Sequence, residues 1–124
     1  MILYNSRDPE KFPLNAEIDA MIRDRVPGLK RVSSGLQNIK DWFRVLVSTG
    51  HFHDAVFMEC SHTETMSMER YLNIWNSVND VRAQAGEALW QVIMEKIRDK
   101  VSSCKDEIME VPYKIRAWTV RRVD

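Results

Sequence analysis

The chain opens on a short apolar run, Met1 to Tyr4, halted by Asn5-Ser6-Arg7-Asp8-Pro9. An apolar run bounded by turn residues predicts a buried strand end. A strand buried on both faces has neighbours on both edges, so a core strand at this position predicts further sheet upstream of Met1. Asn15 caps a helix whose apolar positions are Ile18, Met21 and Ile22, and Val26-Pro27-Gly28 stops it. Leu29 to Gly35 reads as a loop carrying Lys30, Arg31, Ser33 and Ser34. A second short helix runs from Asn38 or Asp41 to Val47, with Ile39, Trp42, Phe43 and Leu46 on one face, and Ser48-Thr49-Gly50 ends it.

Phe52 to Cys60 is a strand in which Phe52, Val56, Met58 and Cys60 share one parity while Ala55 and Phe57 lie on the other. Apolar residues on both parities predict a strand covered on both sides at least in part. Ser61 to Glu64 either continues this strand or forms the turn that leaves it. Ser67 caps a third helix with Glu69 in its first turn and a stripe of Tyr71, Leu72, Trp75 and Val78. Asn76 to Asp80 breaks the pattern. Glu87 to Val101 is the clearest helix, with Leu89, Trp90, Ile93, Ile97 and Val101 on one face. The end is a long strand, Glu107 to Val123, in which Pro112 demands a bulge, an edge position or the strand's beginning. Strands interleaved with helices predict a layered α/β or α+β arrangement, here a single domain over residues 1–124.

Composition narrows the function classes. Hydrophobic residues make up 44% and charged residues 29% of 124 residues, and the formal net charge is zero. Those values fit an ordinary globular domain with a core. Zero net charge with interleaved signs speaks against a nucleic-acid partner, whose phosphates call for a basic excess. No apolar run approaches the roughly 20 residues that span a bilayer, so the expectation is a soluble cytoplasmic protein with no membrane partner. The two cysteines, Cys60 and Cys104, form no CxxC, and two reduced thiols are the simpler reading than a zinc site or redox pair.

Three segments, taken in order, resemble the C-terminal part of class I S-adenosylmethionine-dependent methyltransferases. Leu3-Tyr4-Asn5-Ser6-Arg7-Asp8 is similar to the end of that family's fifth sheet strand. Met66-Ser67-Met68-Glu69-Arg70-Tyr71-Leu72 with Trp75-Asn76-Ser77-Val78 is similar to its helix leading into a Ser-rich turn. Glu110-Val111-Pro112-Tyr113-Lys114-Ile115-Arg116 running to Arg122 is similar to its final strand. The resemblance implies a partial Rossmann-like sheet of about three strands with about four helices, the final strand lying antiparallel between the other two. It implies a small-molecule substrate and, for the full-length family, S-adenosylmethionine as methyl donor. The four glycines, Gly28, Gly35, Gly50 and Gly86, make no GxG, so the Gly-rich donor turn is absent and this chain alone is expected to bind no cofactor. The outer edge of Met1–Asn5 would lack its neighbour, and an apolar unpaired edge is a template for another chain. A homodimer through that edge is the expected assembly.

Candidate chemistry is sparse. Asn5 and Arg7 sit where open α/β sheets place ligands, and the resemblance puts them at a substrate pocket; turn formation by Asn5 and Asp8 with a surface Arg7 is the competing reading. Trp42 and Trp75 belong to helices that the resemblance makes a substrate lid, although core packing explains them too. His51-x-His53 and His62 with Glu64 could approach a metal, but no third ligand is marked, and solvated strand residues are the simpler account. Cys60 and Cys104 have no evident base partner, and no catalytic residue can be named. The expected function is thus the incomplete C-terminal piece of a small-molecule methyltransferase. The rivals are a stand-alone, non-enzymatic α+β module that binds a ligand or partner, and a dimerisation domain.

Overall fold

The computed structural model describes residues 1–31, 41–104 and 107–124. Among them the order is β1 (Ile2–Arg7), α1 (Pro13–Arg25), α2 (Trp42–Val47), β2 (Phe52–Ser67), α3 (Met68–Asn76), α4 (Asn79–Ala85), α5 (Glu87–Ser102) and β3 (Ile108–Arg122). The strands form one sheet in the order β1-β3-β2. Both ladders are antiparallel.

Local chemistry accounts for most boundaries. Pro13 occupies the first turn of α1, where its missing N–H is no loss; Asn15 therefore lies inside the helix and is not its cap. Asp41 caps α2 by accepting a hydrogen bond from the Arg44 N–H at 3.1 Å, and Ser67 caps α3 by accepting from the Arg70 N–H at 3.2 Å. Gly86, with φ +79°, separates α4 from α5 in a backbone conformation that a side chain would strain. The loop reading for Ser33 to Gly35, and the helix reading for Asn38 and Ile39, lie outside the described residues.

The core forms between the helices and one end of the sheet. Trp90, Ile93, Met94, Ile97 and Val101 of α5 are all buried. They pack with Ile18 and Ile22 of α1, Tyr71 and Trp75 of α3, and Val81 of α4 against Met66, Met109 and Val111 of the sheet. Each such aliphatic or aromatic side chain contributes about 1.5–3 kcal/mol on burial, which makes this cluster the main source of stability. On the opposite face, α2 contacts β2 and β3. There Trp42 meets Tyr4 at 6.2 Å, and Trp118 takes Tyr4 edge-on at 6.1 Å and Phe57 at 4.9 Å between ring centroids.

Pro112 sits inside the central strand, yet costs no ladder bond. Tyr113 is the last β3 residue paired to β1, opposite Arg7. One step on, the Pro112 carbonyl accepts from the Asp8 N–H at 2.8 Å while the chain turns away at Pro9. The missing proline N–H thus falls where β1 has already run out.

The sheet overturns the methyltransferase reading. A Rossmann-like sheet is built on parallel neighbours joined by crossover helices. Here every neighbouring pair is antiparallel and unclosed, and β3 keeps β1 and β2 apart so that they share no ladder. A central final strand is equally what a plain three-stranded antiparallel sheet contains. The fold is α+β, not a partial Rossmann-like sheet, and five helices are described in place of the expected four. The implied S-adenosylmethionine falls with it, because without parallel neighbours there is no switch-point crevice at strand carboxyl ends to receive a nucleotide-like donor. The strand at Phe52 also runs on to Ser67, and its cover is partial: Val56, Phe57 and Met58 are 50%, 42% and 51% exposed. No helix among the described residues is long and apolar enough to cross a membrane.

Candidate functional site

Register places the side chains of the helix-bearing face in rows. Arg7, Tyr113 and His62 form one row; Asn5, Ile115 and Cys60 the next; Leu3, Ala117 and Met58 the third. The helical layer ends at the first row. Beyond it the face is open, with Leu3 and Met58 largely exposed.

Arg7 is the focus of the first row. Its guanidinium lies 4.2 Å from the centroid of the Trp75 ring and 5.9 Å from that of Tyr71, a cation–π arrangement. Its Nη1 is buried and has no hydrogen-bond partner among the described residues. Burial lowers the Arg7 pKa, and the nearby Arg31 adds to that, while Tyr71 and Tyr113 oppose it. Burial likewise raises the Tyr71 phenol, whose hydroxyl donates to Asn15 Oδ1 at 3.4 Å. Arg31 differs from Arg7 in having carboxylates: Asp19 at 2.8 Å and Asp80 at 3.2 Å. Asp8, next to Arg7 in sequence, points to the other face, where it is buried with Lys114 Nζ at 3.7 Å.

A polar arch crosses the same row. His62 Nε2 lies 3.2 Å from Asn5 Oδ1, which places the imidazole proton on Nε2 when the amide oxygen accepts. Its Nδ1 is 3.6 Å from Glu64 Oε1, and its ring stacks on Tyr113 at 5.4 Å. The arrangement can hold and orient a polar group.

Of the four expected site residues, the structure brings Asn5, Arg7 and Trp75 to one place. Trp42 is elsewhere, on the opposite face against Tyr4. His62, Tyr71 and Tyr113 join the site although sequence reasoning gave them no such role. Parity along each strand carries part of that signal, but only the register between strands puts His62 and Tyr113 beside Arg7. His53 is exposed and turned to Asp54, with Nδ1 3.0 Å from Oδ2. No group of three or more metal-ligating side chains occurs among the described residues. Cys60 is exposed and Cys104 half-buried, both free. Cys104 lines a separate open cleft of about 540 Å³ with Phe12, Leu14, Thr65, Ile108 and Glu110.

Fold and site together define a small antiparallel α+β domain with a polar cluster at the border of its helical cover. No known family's sequence pattern matches the chain, and no curated protein matches it.

Proposed function

We propose that the chain is a non-enzymatic α+β module that associates with a second copy of itself through the outer edge of β1. The observation that carries this reading is the contrast between the two sheet edges. Among the described residues the outer edge of β1 pairs with no strand, and it has no charged side chain from Ile2 to Ser6. The outer edge of β2 carries Asp54, Glu59 and Glu64 and is kinked by a bulge between His53 and Val56. Charges and bulges are how sheets blunt an edge against pairing, and Ile2 to Ser6 of β1 has neither. Antiparallel self-pairing about a two-fold near Tyr4 would join two sheets, set Ile2 opposite Ser6 and Leu3 opposite Asn5 across the seam, and bring no like-charged side chains of Ile2–Ser6 together. Sedimentation equilibrium tests this, with Leu3→Lys as the edge-blocking variant. The expected result is a dimer whose dissociation constant rises about tenfold or more in the variant, a change of ~1.4 kcal/mol. A monomer in both forms, with β1 amides protected, would overturn it.

A further inference from the structure

We infer that Arg7, stacked on Trp75 at the border of the open sheet face, is the anchor of a binding site for a small carboxylic acid with an apolar tail. This goes beyond edge association, which leaves the sheet face free, and stands or falls separately from it.

The argument starts from charge. Arg7 carries a positive charge that no carboxylate among the described residues pairs, whereas Arg31 has two. One of its nitrogens is both buried and without a hydrogen-bond partner among the described residues. A partly buried guanidinium without a counter-ion is costly, and the cation–π contact with Trp75 reduces that cost without supplying hydrogen-bond acceptors. A planar anion supplies the remainder, because a carboxylate matches the fork of a guanidinium with two parallel hydrogen bonds. Arg7 is not wholly enclosed, and on its open side the next residue of the same face, Asn5, is exposed.

The second part is shape and polarity. Beside Arg7, the Asn5 amide and the His62 ring are held together at 3.2 Å and offer further polar contacts to the head group. Directly beyond them the face turns apolar: Ile115, then Ala117 flanked by Leu3 and Met58. Leu3 and Met58 are 62% and 51% exposed. A head at Arg7 with a tail over Ile115 and between the exposed Leu3 and Met58, which flank the buried Ala117, uses both features. A fully polar anion such as phosphate would use only the first.

The test is nitrogen-15 NMR of the full chain titrated with hexanoate, with hexanamide and inorganic phosphate as comparison probes. The account predicts saturable shifts of the Arg7 Nε–Hε and Trp75 indole signals with hexanoate and none with hexanamide. Phosphate should bind at least tenfold more weakly than hexanoate. Arg7→Lys, which keeps the charge but loses the fork, should weaken hexanoate at least tenfold, and Met58→Asp should weaken it while leaving the fold's amide spectrum intact. Equal response to the acid and its amide in the unsubstituted protein would overturn the proposal without relying on any variant. So would the absence of any Arg7 response at about 10 mM hexanoate, or phosphate binding as tightly as hexanoate.

Discussion

Single side chains differ sharply in what they carry. Ile97 is fully buried at the centre of the α5 face, whereas Val92 on the same helix is 42% exposed. Ile97→Ala should therefore cost about 2–5 kcal/mol, and Val92→Ala no more than ~0.5 kcal/mol, as read by urea unfolding. Asp8 makes a different demand. It is 1% exposed, its Oδ1 accepts from the Glu10 N–H at 3.1 Å, and its only ion-pair partner among the described residues is Lys114. Lys114→Met would strand a buried charge, with an expected loss of about 3 kcal/mol. Asp8→Asn in the same background should restore part of it, and a lack of restoration would show that the Lys114 loss comes from packing. Buried Tyr71 has its phenol pKa raised. Burial so favours the neutral form that its stabilisation holds below the ordinary tyrosine range and is lost as pH climbs through the raised value. Ultraviolet titration of the parent beside Tyr71→Phe should show the Tyr71 phenol ionising above the ordinary tyrosine range.

At the scale of elements, what the sequence shows depends on how much of an element's reason is local. α5 is legible because its stripe repeats over sixteen residues and burial follows that stripe. α3 is legible because Ser67 is both cap and boundary; Ser67→Ala should cost about 1 kcal/mol, measurable as a lowered melting temperature. α4 is not legible, since seven residues with one buried side chain, Val81, give no period to read. The length of β2 is only half legible, because Ser61 to Glu64 read equally as strand or turn, and pairing with Val111 to Lys114 makes them strand. The bulge in β2 has a local cause that parity could not reveal. Asp54 sits at φ +52°, and its carboxylate is 3.0 Å from His53 Nδ1 and 3.8 Å from Arg121 Nη1. A β-branched residue tolerates that backbone badly, so Asp54→Val should lose about 1–2 kcal/mol. Asp54→Gly should stay within ~1 kcal/mol of the parent, the relaxed backbone offsetting the lost contacts.

For the whole molecule, local pattern and global arrangement part company. Three strands and their approximate places are readable from alternation and turn residues, but strand direction and neighbour are not written in any one segment. The segment likeness to methyltransferases came from motifs that an antiparallel α+β domain also accommodates: an apolar strand ending in Asn, a Ser-capped helix, and a strand entered through Val-Pro-Tyr. Likewise Arg7 and Trp75 could be named from sequence, while their 4.2 Å approach depends on α3 folding back over the end of β1. The same architecture concentrates cover at one end of the sheet and leaves the β1 edge unpaired. The central claim is that this edge joins two copies. It is tested most directly by sedimentation equilibrium of the chain at micromolar concentrations beside Leu3→Lys. The account predicts a mass twice the 14.6 kDa of one chain for the parent and a shift toward one chain in the variant. A single-chain mass for the parent across the concentration range, with β1 folded, would contradict it.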